Sequence, residues 1–272
     1  VPTDQEMTAI LQGQIDMSHA SSPVMAGFDP IWNIYELPFA FDYDPENPEI
    51  FLDNRMAFNN SDNGGGKIKQ KMEENGLKVL SLGFVDMFGS VYTTDASNIV
   101  TGPDSVQGLK LRSPGGLIGP ETLDALGASS VTIAGAEVIT ALQQNLVDGL
   151  LTTPIYAHDV NLPVESFSAV PLFNTVTPLI ISLEKFESLP EELQQILEET
   201  GKELESYAKE HVLEKALEVY ESMEEKGIEV YYPTDEEIEE WIEATEPARD
   251  LFKNEVEEGE ELLEEITSLM NQ

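Results

Sequence analysis

Residues 189–226 read as one unbroken helix. Ser188-Leu189-Pro190-Glu191 has capping-box spacing with a proline in the first turn, and Gly227 after Lys226 is a stop signal. Between them Leu193, Ile196, Leu197, Leu204, Tyr207, Ala208, Val212, Ala216, Val219, Tyr220 and Met223 recur at helical spacing. At 1.5 Å per residue this helix is about 57 Å long, more than the width of a small domain. In a chain of 272 residues such a helix implies a brace laid across two lobes.

The rest of the chain alternates short β-type runs with helical segments. Residues 15–18, 78–84, 109–112, 130–133, 149–152 and 228–232 read as strands; 4–11, 47–58, 67–74, 120–126 and 136–146 read as helices. Alternation with short Gly, Pro and Asp connections predicts an α/β fold with mainly parallel sheets. Asn63-Gly64-Gly65-Gly66 reads as a flexible turn, too short for a domain linker. A last helical stretch opens at the capping box Thr234-Asp235-Glu236-Glu237, and Pro247 is expected to break or kink it.

Charge narrows the partners. The chain holds 52 acidic and 14 basic residues, a net charge of −38, yet 41% of it is hydrophobic, which argues for a folded chain with an acidic surface. Residues 1–179 carry 22 acidic and 7 basic residues, net −15; residues 180–272 carry 30 and 7, net −23. Nucleic acid is excluded, because phosphate binding needs clustered Lys and Arg. The self-repulsion predicts a protein stabilised by molar salt, where the screening length falls to about 3 Å; the alternative is ordinary acidity on solvated helical faces. The Glu runs of the last helix read as such a face. With no cysteine there is no disulfide or thiolate chemistry. No apolar run reaches about 18 residues, so no membrane insertion is expected. The chain begins Val1-Pro2-Thr3-Asp4, without an initiator Met or signal peptide, which reads as processed or truncated.

Catalytic signatures are absent. His19, His158 and His211 are scattered without zinc spacing, and His211 in the long helix reads as structural. There is no P-loop, no dinucleotide fingerprint and no nucleophile elbow, so no cofactor or metal is expected. Of three arginines, Arg55, Arg112 and Arg249, one ends a strand: Leu109-Lys110-Leu111-Arg112 runs into Ser113-Pro114-Gly115-Gly116. In open α/β sheets ligands bind beyond the carboxyl ends of strands, and a guanidinium there suits a carboxylate. The competing reading is a surface arginine paired with one of many glutamates.

At these residues the chain resembles a known family. Gly108-Leu109-Lys110-Leu111-Arg112-Ser113-Pro114, Leu126-Gly127-Ala128, Glu137-Val138, Ala141-Leu142-Gln143-Gln144 and Val147-Asp148-Gly149 follow in order. With Gln12-Gly13-Gln14-Ile15-Asp16-Met17, Leu37-Pro38-Phe39 and Leu189-Pro190-Glu191-Glu192-Leu193-Gln194, they resemble the extracytoplasmic solute-binding proteins of TRAP (tripartite ATP-independent periplasmic) transporters over nearly the whole chain. The resemblance implies a two-lobed, periplasmic-binding-protein-like α/β fold with hinge strands, the long helix bracing both lobes. It implies lobe I over 1–89 and 178–217 and lobe II over 90–177 and 218–272, with hinges near 89–91 and 175–178. It implies capture of a small organic acid between the lobes, with Arg112 clamping its carboxylate, and delivery to sodium-coupled TRAP membrane subunits outside the cytoplasm, in the periplasm or from a lipid anchor.

The departures matter too. The family's opening strand, helix and strand have no counterpart before Asp4, so lobe I is expected to carry an unpaired sheet edge, as a fragment or as an abbreviated lobe. A frequent aromatic falls at Gly135, a frequent Asn at Thr152, a second Arg or polar position at about Tyr92, and a polar contact at Gly115. Tyr92, Gly115, Gly135 and Thr152 therefore join Arg112 as candidate ligand residues, and no particular ligand of the family is carried over. His19 and Ser21, past the first strand, are further candidates, a satisfied turn being the alternative. Phe88 and Phe173 read as core. A protein at −38 should repel an anionic solute unless salt screens it or the ligand is zwitterionic. Alternative functions are a sensor module of the same fold and, less favoured, an enzyme on a two-lobed scaffold.

Overall fold

Among the described residues, nine strands and eleven α-helices form two sheets with helices around them. In the computed structural model, which describes residues 1–44 and 47–271, the order is α1 (Glu6–Leu11), β1 (Met17–His19), α2 (Ser22–Ala26), α3 (Glu49–Asn60), α4 (Lys67–Glu74), β2 (Leu77–Phe84), β3 (Ser90–Thr93) and β4 (Lys110–Ser113). There follow α5 (Ile118–Ala125), β5 (Ser129–Thr132), α6 (Val138–Gln143), β6 (Gly149–Thr152), α7 (Pro154–Asp159), β7 (Ser166–Ser168), β8 (Val176–Ser182) and α8 (Leu183–Glu187). The chain ends with α9 (Glu191–Glu225), β9 (Glu229–Tyr231), α10 (Asp235–Glu255) and α11 (Gly259–Met270). Pro45, Glu46 and Gln272, which the expected lobes include, lie outside the described residues.

The smaller sheet has the order β1-β8-β2, the larger β5-β4-β6-β3-β7-β9. The expectation of mainly parallel sheets needs correction. The three-stranded sheet is wholly antiparallel, and the larger one joins three parallel pairs (β4/β5, β4/β6, β7/β9) to two antiparallel ones (β3/β6, β3/β7). The reason is the crossing of the chain. A strand that comes back from the other sheet, as β8 does, enters against the direction of its neighbours. β1 and β2 are the edge strands of the small sheet, with Met17 and His19 of β1 exposed.

The chain passes from the small sheet to the large one at residues 85–89 and returns at 169–175. These crossings touch: Gly89 N donates to Phe173 O at 2.5 Å, and Gly89 and Phe173 form an isolated antiparallel bridge. The α9 helix makes a third link. It packs on β2 at one end and on α7 and β9 at the other. At Gly201 it lies so close to β2 that a Cβ would stand 2.0 Å from Leu80 O. Beside it buried Glu205 accepts Leu82 N at 2.5 Å, just past the β2/β8 register shift between Val79 and Ser81.

Three details of the helices differ from the sequence reading. Helix α9 has 35 residues and starts at Glu191, with Pro190 at its N-cap; the Ser188 hydroxyl instead donates to Lys185 O and closes α8. Its buried stripe is Gly201, Glu205, Val212, Ala216, Val219 and Met223, while Leu193, Ile196, Leu204 and Tyr207 are exposed. Helix α10 opens with the expected Thr234–Glu237 capping box, and Pro247 does not break it. A helix-interior proline costs about 3 kcal/mol; α10 buries Trp241, Thr245, Ala248 and Phe252, which offsets it. The glycine turn takes a regular form. Asp62–Gly66 forms a π-helical turn, and a Cβ on Gly65 would sit 2.1 Å from Asn59 O.

α11 packs on α3 and on the 62–66 turn, with Lys67–Glu261 and Lys71–Glu258 ion pairs, so it lies against the part of the chain expected as lobe I. The α10 helix before it packs on α5, in the part expected as lobe II. One apolar core runs continuously through both halves, and a second, around Leu111, Leu123, Leu151 and Trp241, fills the space under α10.

Candidate functional site

Arg112 sits near the carboxyl end of β4, one residue before the strand ends at Ser113. Strands β5, β4 and β6 run parallel here, so their carboxyl ends open on one side. Arg112 is 4% exposed. Its Nε donates to Ile133 O at 2.9 Å and its Nη1 to Leu151 O at 3.5 Å. Among the described residues no Asp or Glu forms an ion pair with it. Burial lowers its pKa to about 10, so it remains a cation at neutral pH; the phenol of Tyr156 beside it acts the other way. The reading of Arg112 as a surface arginine paired with a glutamate is therefore not what the structure shows.

Thr152 ends β6, buried, with Ser90 opposite it in the β3/β6 register. Ser90 is fully buried and, among the described residues, its hydroxyl has no hydrogen-bond partner. Gly115 lies in the loop after β4, half-buried, at φ +116°, with its N–H 3.4 Å from the Ser113 hydroxyl. Gly135 is exposed after β5, and its carbonyl accepts the Tyr156 hydroxyl at 3.4 Å. A Cβ at Gly135 would meet that hydroxyl at 3.4 Å, so Tyr156 stands where a side chain at 135 would project. Arg112, Thr152, Gly135 and Tyr156 thus gather around the ends of the parallel strands.

The other candidates lie elsewhere. Tyr92 is fully buried in β3, stacked on Phe167 with ring centroids 4.4 Å apart. It lines a cavity of about 130 Å³ with His158 of α7 and with Ser222 and Lys226 beside the end of α9. Its hydroxyl has no partner, and burial pushes it well above the usual tyrosine range. His19 is exposed at the end of the edge strand β1, and half-buried Ser21 precedes α2, its carbonyl accepting Val24 N and Met25 N. Among the described residues neither His19 nor Ser21 hydrogen-bonds to Arg112. Ser22, not Ser21, reaches the return crossing: its hydroxyl lies 3.3 Å from the Thr175 hydroxyl and accepts Val176 N at 3.3 Å. His211 stacks on Tyr207, exposed, with Nδ1 2.8 Å from Tyr207 O.

Several residues between the two sheets escaped the sequence reading. Arg55 of α3 is fully buried and donates through Nη1 to Asp86 O (2.9 Å) and Met87 O (3.1 Å), and through Nη2 to Thr175 O (2.5 Å). It thereby holds both crossings, with Phe51 and Phe84 rings against its guanidinium. Asp86 is buried; its Oδ1 accepts Met87 N at 2.9 Å and its Oδ2 accepts Ile155 N at 2.6 Å, at the start of α7. Desolvation pushes its carboxyl up to about 7 against those hydrogen bonds. Glu36 is fully buried, both carboxyl oxygens lack a hydrogen-bond partner of good geometry, and burial drives it well above the usual carboxylate range. An apolar context was the only signal for these residues: Arg55 stands among Phe51, Leu52, Met56 and Phe58, and Asp86 between Val85 and Met87.

Similarity to characterised proteins agrees with this geometry. The profile of "Bacterial extracellular solute-binding protein, family 7", the DctP family, matches residues 1–255. The chain is 27% identical over 272 residues to the 2,3-diketo-L-gulonate-binding periplasmic protein YiaO of Escherichia coli K12, covering 96% of this chain and 76% of that protein. It is 25% identical over 259 residues to the C4-dicarboxylate-binding periplasmic protein DctP of Rhodobacter capsulatus, covering 90% of this chain and 71% of that protein. A Haemophilus influenzae TRAP periplasmic solute-binding protein with bound L-gulonate superposes with a TM-score of 0.87 at 22% identity, over 98% of this chain and 84% of that one. A Shewanella oneidensis homologue with bound succinate gives 0.86 at 18% identity, over 98% and 84%. The chain belongs to the family-7 extracellular solute-binding proteins of the TRAP type, whose two-lobed fold it shares.

Proposed function

We propose that this protein captures a small organic acid between its two halves, with the Arg112 guanidinium as the carboxylate clamp, and hands it to the membrane subunits of a sodium-coupled TRAP transporter outside the cytoplasm. One observation carries the reading. In a chain with 52 acidic residues, Arg112 is buried at the end of a parallel strand, and among the described residues no carboxylate pairs with it. A buried cation without an anion is expensive, and an incoming carboxylate repays that cost with charge-assisted hydrogen bonds. Thr152, Ser90 and Tyr156 supply neutral hydroxyls near the clamp. Closing the halves on the ligand removes water and strengthens the ion pair. This is binding without turnover.

The test is a thermal-shift screen of small carboxylates in 2 M NaCl, which suppresses charge repulsion, a salt level set by the roughly 3 Å screening length near 1 M. Arg112→Ala is run beside the wild type. A ligand at about 100 times its Kd adds about 2.7 kcal/mol and several degrees. A shift present in the wild type and lost in Arg112→Ala supports the reading. A shift retained in Arg112→Ala contradicts the clamp.

A further inference from the structure

Resting on the carboxylate reading of Arg112, we infer that the site accepts monocarboxylates and rejects dicarboxylates. The argument is a count of where positive charge can come from. The chain has three arginines. Arg55 is committed to three backbone carbonyls of the two crossings and is walled by Phe51 and Phe84. Arg249 lies on α10 and donates to Phe39 O. None of the lysine ion pairs among the described residues reaches Arg112; those of α4, for example, join Glu205, Glu258 and Glu261. Of the lysines without an ion pair among the described residues, Lys110 is exposed at the opposite, amino end of β4, Lys202 is exposed on α9, and Lys226 lines the separate Tyr92 cavity, so Arg112 is the one buried cation at the carboxyl ends of these strands.

The other buried ionisable groups nearby are all acids. Glu36 ends the 3-10 turn Pro30–Glu36, whose Asn33 Oδ1 accepts Leu117 N at 2.9 Å, so the turn abuts the start of α5, the helix that follows the Arg112 strand. Asp86 binds Ile155 N, one residue before the Tyr156 phenol that neighbours Arg112. Such groups are neutral or negative and never positive. Glu36 and Asp86 are already driven toward their neutral forms by burial. A second ligand carboxylate would enter this region desolvated, with no counter-ion and with acids around it. Neutral polar atoms stand there instead: the Thr152 and Ser90 hydroxyls, the Tyr156 phenol and the Asn174 Oδ1, which lacks a partner among the described residues, suit hydroxyl and keto groups. The ligand class is therefore an acid with one carboxylate and a neutral, hydroxyl- or keto-bearing body.

The experiment is calorimetric titration of the whole chain with matched acids that differ by one carboxylate: D-gluconate against D-glucarate, 2-hydroxybutyrate against malate, and butyrate against succinate. It is run in 2 M NaCl, so that the ratio reports the site rather than the net charge of −38. The expected result is that the tightest-binding monoacid exceeds its paired diacid at least 100-fold, about 2.8 kcal/mol. A ratio under tenfold, or a diacid that binds tighter, overturns the inference and leaves the carboxylate reading standing. If no acid of either kind binds, the carboxylate reading and this inference fall together.

Discussion

Arg55 and Arg112 are both guanidiniums buried in a strongly acidic chain, and among the described residues neither pairs with a carboxylate. Burial pushes both down to about 10. Their surroundings then diverge. Arg55 stands between the crossings, with both terminal nitrogens engaged by three carbonyls and phenyl rings 5.4 and 4.9 Å from its carbon. Arg112 stands at an open strand end, with Nε and Nη1 on two carbonyls, the second at 3.5 Å. The same side chain is thus a structural pin where the fold engages both terminal nitrogens, leaving only Nε without a partner among the described residues, and the proposed ligand clamp where it stands at an open strand end. Position relative to the sheet, more than charge or burial, separates the two roles.

The largest effect that would sharpen the contrast is on stability. Arg55→Ala orphans three buried carbonyls and leaves a cavity, and should lower stability by about 3–5 kcal/mol in denaturant unfolding. A loss under about 1 kcal/mol would mean the crossings hold without their pin. Next comes Asp86, beside that pin. Its carboxyl is raised from 3.8 to about 7, so the folded protein holds a proton that the unfolded chain releases above about pH 4. Stability from this group is therefore full below pH 4 and lost as pH rises toward 7, up to about 4 kcal/mol. Unfolding curves of Asp86→Asn against wild type should converge or cross in the mutant's favour across that window. Parallel curves would show that Asp86 does not titrate there.

Salt should act on the whole surface rather than on either arginine. Melting temperature should rise by several degrees between 0.1 and 2 M NaCl as the repulsion among 52 acidic residues is screened. Equal stability at both salts would remove the salt-adapted reading. The smallest effect belongs to Thr152→Val, which deletes one hydroxyl at the Arg112 end. It should weaken ligand binding about 3- to 10-fold, the worth of one hydrogen bond, with little change in melting temperature. An unchanged Kd would take Thr152 out of the site.

What could be read from the sequence follows physical locality. Gly149–Thr152 and Lys67–Glu74 are bounded by turn residues and appear where expected. The strands that went unread, β3, β7 and β8, are short, serine-rich or carry a proline, and are buried on both faces, so the alternating pattern is missing. Pro178 is tolerated in β8 because it lies past the end of the β1 ladder, with only β2 alongside. The place of Arg112 near a strand end was legible because the turn signals after it are local. Tyr156, Ser90, Asp86, Glu36 and Arg55 were not, because only tertiary packing brings α7, the crossings and α3 to their neighbours.

The division between pin and clamp is tested most directly by measuring two quantities on Arg112→Ala: its unliganded melting temperature and its affinity for the acid that binds the wild type. The account predicts a melting temperature at or slightly above wild type, because a costly buried charge is gone, with affinity reduced at least 100-fold, about 2.8 kcal/mol. Affinity within threefold of wild type, or a loss of stability as large as that of Arg55→Ala, would contradict it.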